Sequence, residues 1–122
     1  MSAHLKSSAP HIHKASTWAD DLVDWGDHME PIDGRSKNSG RLLWAGAENR
    51  LPEAGIWVCT PGSWHLVLPR DELCHFVSGR ATYRAESGEA IEVTPGTVVH
   101  FIEGWTGDVE VQESLRCIYM FR

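Results

Sequence analysis

No stretch of this chain is long and apolar enough to form a bilayer-spanning helix. The first ten residues, M-S-A-H-L-K-S-S-A-P, lack the apolar core of a signal peptide, so a cytoplasmic location is expected. Positive charge is scarce. Eleven Lys and Arg stand against 17 Asp and Glu, and the formal net charge of −6 argues against nucleic acid as a partner. Cysteine is limited to Cys59, Cys74 and Cys117, an odd number spread through apolar stretches. That pattern predicts reduced, buried thiols and excludes a disulfide framework. There is no Gly-rich phosphate loop, no zinc-type Cys pair and no Gly-x-Ser-x-Gly elbow. Helical periodicity is confined to one short stretch. There, Thr17 is placed to cap, Asp20 and Asp21 fall in the first turn, and Trp18, Leu22 and Trp25 share a face.

What is present is punctuation and strand-forming residues. The 122 residues suit one domain. Short runs of Val, Ile, Leu, Trp, Phe and Tyr recur between turn signals, and nine strands are predicted, at 41–45, 56–59, 64–68, 72–77, 81–85, 90–93, 98–102, 109–112 and 116–121. Pro61-Gly62, Pro69-Arg70-Asp71, Ser78-Gly79-Arg80, Glu86 to Glu89, Thr94-Pro95-Gly96 and Glu103 to Gly107 read as the turns. The connections are too short for crossovers, which implies antiparallel pairing in a sandwich or barrel. Residues 1–40 read as an N-terminal arm with a short helical turn, and 41–122 as the barrel. His11 and His13 form a His-x-His pair with nothing nearby to hold it, so a solvated tail is expected there.

Alternation sorts the side chains. Trp64, Leu66 and Leu68 share one face, with His65 on the other; Glu72, Cys74 and Phe76 share one face, with His75 on the other. Several strands are apolar on both faces. The outer face must then be covered by the arm or by a second copy of the chain, and a homodimer is expected.

The stretches G-I-W-V-C-T-P-G-S-W (55–64), D-E-L-C-H-F-V-S-G (71–79) and G-W-T-G (104–107) resemble the small single-domain cupins related to ureidoglycine aminohydrolase and to the ethanolamine-utilisation cupins. Six residues separate Glu72 from Gly79, as in the first cupin motif, and Gly96 to Gly107 follows the spacing of the second. The resemblance covers about residues 44–121. It implies an all-β double-stranded β-helix, the jelly-roll barrel, and a site for a ureido or amino compound, or a sugar-like one, inside it. It also implies a metal site, and here the chain departs from the pattern. Counting back from Glu72 with the three-residue gap, the two motif histidines fall on Leu66 and Leu68; with the four-residue gap they fall on His65 and Val67. The histidine of the second motif falls on Gly107. One carboxylate and two leucines do not make the family's mononuclear site, so no metal is expected, and bound Mn, Fe, Ni or Zn would require a rebuilt ligand set.

The candidates for chemistry follow. Glu72 is placed inside the barrel as a general acid or base, with His100 as its proton-exchanging partner. Its structural alternative is a carboxylate paired with an Arg such as Arg84, which is also a candidate ligand contact. Trp57, Trp64 and Trp105 offer broad faces for a small-molecule ligand, Trp105 from a Gly-flanked turn at the expected mouth. Cys74 shares the face of Glu72, where a neighbouring carboxylate raises a thiol's pKa, so a packing role is expected for it. An enzyme using Glu72 and His100 and a metal-free binding module are the two functional readings. A bare scaffold survives only if no cavity exists.

Overall fold

The computed structural model describes residues 9–46 and 52–122. It contains nine strands: β1 (Val23–Asp27), β2 (Pro31–Asp33), β3 (Lys37–Ala45), β4 (Glu53–Cys59), β5 (Gly62–Val67), β6 (Glu72–Ala85), β7 (Ala90–Val93), β8 (Val98–Phe101) and β9 (Thr106–Phe121). All pair antiparallel. Among the described residues there is no α-helix, and so none long and apolar enough to cross a membrane.

Two long strands close the barrel. The C-terminal half of β9 pairs with β4, and its N-terminal half pairs with β5. The N-terminal half of β6 pairs with β8, its C-terminal half with β7, and both halves pair with β9. One sheet thus runs β1-β3-β4-β9-β6-β8, and the other runs β2-β5-β9-β6-β7. This is a jelly roll whose sheets share the same two bent strands.

The bend explains the first difference from the sequence reading. Residues 78–80 do not turn a hairpin but lie inside β6, where the register against β9 shifts between Phe76 and Ala81. Gly79 sits there at φ +92°, and a Cβ on it would run into the Ser114 carbonyl and lie 2.7 Å from the Leu115 Cα. The glycine permits the fold-over and is not a chain reversal. Glu86 to Glu89 does turn a hairpin, with Ala85 N–H donating to the Glu89 carbonyl at 2.8 Å.

The arm differs too. The expected helical turn from Thr17 to Trp25 is absent: residues 13–17 form a non-helical turn and Val23–Asp27 is a strand on β3. A helix that short has little stability of its own. Pairing with β3 satisfies its backbone and lets the Trp25 ring lie directly over Gly40, edge-on to Tyr119 at 6.4 Å. β3 also runs through residue 40, so the expected boundary between arm and barrel is not a break in the structure. The arm ahead of β1 crosses the outer face. Arg116 Nη1 donates to the Ala15 carbonyl at 3.0 Å, Arg41 Nε pairs with Asp21 at 2.9 Å, and Arg41 lies 5.3 Å from the Trp18 ring. Ile56, outward by its register between Arg41 and Ile118, is only 1% exposed as a result.

The inward residues make one core. Phe76, Val93, Val109, Leu115 and Cys117 are almost fully buried. Tyr83, Phe101 and Trp64 pack against the same cluster around an open space between the sheets.

Candidate functional site

That space is a cavity of about 220 Å³ lined by His28, Asn38, Trp57, Trp64, Leu66, Leu68, Glu72, Cys74, Tyr83 and Phe101. β5 supplies Trp64 and Leu66, with Leu68 just beyond it, and β6 supplies Glu72, Cys74 and Tyr83. The alternation inferred from the sequence is therefore the one observed, and Leu66 and Leu68 face the same space as Glu72. Cross-strand pairing sets Gly107 opposite Leu66 and Ala85. A Cβ on Gly107 would run into the Arg84 carbonyl, so that position has no room for a metal-binding side chain. Among the described residues no three His, Cys, Asp or Glu side chains converge as a metal site. The donor set does not fit the family's mononuclear centre.

Glu72 begins β6 and lines the cavity. Burial pushes its carboxyl up to about 6; the nearby Cys74 thiol opposes this and the Glu53 charge adds to it. Glu53 in turn accepts a hydrogen bond from the Tyr119 hydroxyl at 2.6 Å. The Cys74 thiol is pushed strongly upward by its hydrogen bond to Cys117, by burial and by the Glu72 charge. It is a wall of the cavity, with no thiolate character at neutral pH.

Trp57 and Trp64 meet edge to face, with ring centroids 6.2 Å apart. Trp57 Nε1 donates to Asn38 Oδ1 at 2.8 Å. Trp64 is 3% exposed, and so is Tyr83. Neither the indole N–H of Trp64 nor the Tyr83 hydroxyl has a hydrogen-bond partner among the described residues. No fully buried side-chain nitrogen or oxygen there is left unpaired, so both groups keep some accessible surface, and both residues line the cavity.

Several expected site residues lie elsewhere. His100 is exposed on the outer face of β8, opposite Leu73, because β8 turns Phe101 inward and alternation turns its neighbour out. Arg84 is exposed beside the inward Tyr83, so it does not pair with Glu72. Trp105 packs on Phe101 and Tyr83 at 5.3 and 6.0 Å and lines a separate surface cleft with His100. His65 points outward to Asp108 at 2.9 Å, and that hydrogen bond raises its pKa. His75, His11 and His13, expected outside the barrel, are exposed.

The histidine that does reach the cavity is His28, between β1 and β2. Its ring stacks on Trp64 at 3.5 Å and 10°. Its Nε2 lies 3.3 Å from Ser36 Oγ and 3.5 Å from Cys59 Sγ. The Ser36 hydroxyl donates to the Thr60 carbonyl at 2.6 Å, so its oxygen accepts, which assigns the proton to His28 Nε2 and leaves Nδ1 an acceptor. Burial holds this imidazole neutral, its pKa lowered to about 4. Burial also pushes the Cys59 thiol up to about 11. Nothing local in the sequence marks His28 or Asn38; only the pairing of β1 and β3 with the barrel brings them to the cavity.

A jelly roll closed around a small interior cavity is the architecture of a cupin. The chain belongs to the EutQ-like cupin domain family, which matches residues 47–119. No curated protein matches it. Among solved structures it is similar to the EutQ protein of Clostridium difficile (TM-score 0.61, 16% identity, 70% of this chain and 68% of that one). It is similar also to a protein of unknown function from Pseudomonas syringae (TM-score 0.76, 18% identity, 84% of this chain), of which it spans only 45%. The ectoine synthase of P. lautus has the same fold (TM-score 0.62, 16% identity, 79% of this chain and 70% of that one).

Proposed function

We propose that this cupin holds a small polar metabolite of the ureido or amino class inside its barrel, and does so without a resident metal. One observation carries the reading. The two positions that would bear the motif histidines are Leu66 and Leu68, and both line the same cavity as Glu72. The cavity keeps an acid and loses its metal partners, while Trp64 N–H and the Tyr83 hydroxyl remain free to bond a guest. At about 220 Å³ the space suits a metabolite smaller than a drug-sized ligand. Glu72, with a pKa near neutrality, is the proton-exchanging group, and neutral His28 with its free Nδ1 takes the part first assigned to His100. The test is a metabolite screen read by NMR at the indole N–H signals of Trp57 and Trp64. A guest moves these and leaves the exposed Trp44 unmoved; shifts at Trp44 alone would refute the reading. Elemental analysis of untagged protein from metal-supplemented medium should return no stoichiometric Mn, Fe, Ni or Zn.

The second reading is a metal-free binding module, supported by the placement of His100 outside the barrel. Glu72→Gln separates the two: if it leaves guest affinity and every detectable turnover unchanged, the enzymatic reading loses its central residue. We also propose that the chain works as a homodimer in the cytoplasm, where its three free thiols stay reduced. Trp44, Ala54, Met120, Leu73 and His100 form one outward row across five strands, and Trp44, Met120 and Leu73 are each nearly half exposed.

A further inference from the structure

We infer that the guest is a small organic monocation, an ammonium head held by Glu72 and the surrounding rings with a hydrogen-bond acceptor beyond it; this rests on the metabolite-site reading above. No Lys or Arg is among the ten residues lining the cavity. Its one acid is Glu72, and its one basic side chain, His28, is held neutral by burial. Four aromatic rings, those of Trp57, Trp64, Tyr83 and Phe101, make up half of the other eight lining residues. Tyr83 and Phe101 lie 5.1 Å apart at 33°, and Trp57 meets Trp64 at 83°. Aromatic walls stabilise a cation through the ring quadrupole, and a desolvated site strengthens the effect. Within this lining an anion would meet the Glu72 charge with no Lys or Arg to offset it; Arg70 lies in a separate cleft that Glu72 also borders.

The cleft next to the cavity is built alike. A wider opening of about 410 Å³ shares His28, Asn38, Trp64 and Leu66 with the cavity and adds Asp27, Met29, Glu30, His65 and Val67. Two carboxylates stand there, and again no Lys or Arg lines the space. Of the cations near this rim, Lys37 is tied to Asp27 at 3.1 Å and His65 to Asp108 at 2.9 Å, while Arg35 lines a neighbouring cleft and not this one. The free Trp64 N–H and Tyr83 hydroxyl, both on side chains 97% buried, set the other end of the guest. A donor N–H needs an acceptor, so the ligand carries a hydroxyl or carbonyl oxygen as well as its positive head.

An isosteric pair isolates the charge. Choline and 3,3-dimethylbutan-1-ol have the same shape and the same hydroxyl, and differ in whether the branched centre is N⁺ or carbon. Each is titrated into the full chain, with the Trp57 and Trp64 indole signals as readout. Choline is expected to bind at least about tenfold more tightly, and Glu72→Gln should bring it to the level of the neutral alcohol. Equal or tighter binding of the alcohol overturns the inference and leaves the metabolite site standing. Binding of neither overturns it too, and methylurea in the same assay then decides the broader reading: indole shifts keep that site, and their absence removes both.

Discussion

Replacing Glu72 by Gln should make this protein more stable at neutral pH, though it alters the most polar group in the barrel. The carboxyl has a pKa of about 6 in the fold against an ordinary 4.5. Because the folded value is the higher, the fold holds the proton more tightly than the unfolded chain does. The stabilising contribution is complete below 4.5 and is lost as the pH rises through 6. About one and a half pKa units at about 1.4 kcal/mol each amounts to roughly 2 kcal/mol. Burial is the main cause, opposed by the Cys74 thiol and helped by the Glu53 charge, while Tyr83, His28, Cys117 and the Tyr119 hydroxyl are the other titratable groups around the site. Gln is neutral at every pH and nearly the same shape. Thermal melts of both forms should therefore coincide near pH 4 and diverge by roughly 5–10 °C at pH 7.5, with the Gln variant higher. His28, whose lowered pKa makes the fold lose stability as the pH falls from 6.5 towards 4, is common to both and cancels. A Gln variant less stable than the parent at pH 7.5 would refute the argument, since Glu72 would then be a satisfied ion and not a strained one.

Leu66→His with Leu68→His restores the motif side chains beside Glu72. The double variant should take up about one equivalent of Ni or Zn by isothermal titration where the parent takes none; no uptake would mean that these side chains do not converge with Glu72. Gly79→Ala should lower the melting temperature sharply, because alanine at φ +92° is strained and its Cβ meets the Ser114 carbonyl where β6 bends. Unchanged stability would show that the bend does not depend on the glycine. Light scattering should give the mass of a dimer, and Leu73→Lys with Met120→Lys should return a monomer. A monomeric parent would leave the outer row without the occupant proposed for it.

Period-two alternation and Gly/Pro punctuation were enough to find most strands and to set Trp64, Leu66, Leu68, Glu72 and Cys74 on inward faces, because side-chain direction in a strand is a local property. The same logic put His65 and His75 outside, where they lie. The spacing of Glu72 and Gly79 carried the family, although Gly79 marks a bend in one strand and not the end of a hairpin. Other features depended on pairing between segments far apart in the chain. Whether residues 23–27 coil or extend was decided by β3 and by the space over Gly40. His28 reaches the cavity through Ser36 and Trp64, contacts 8 and 36 positions along the chain that no local pattern encodes. His100 was misplaced because its strand register is set by β6, which turns Phe101 inward. The chain alone determined what kind of wall each strand presents. Only the closed barrel decided which walls face one another and what lies between them.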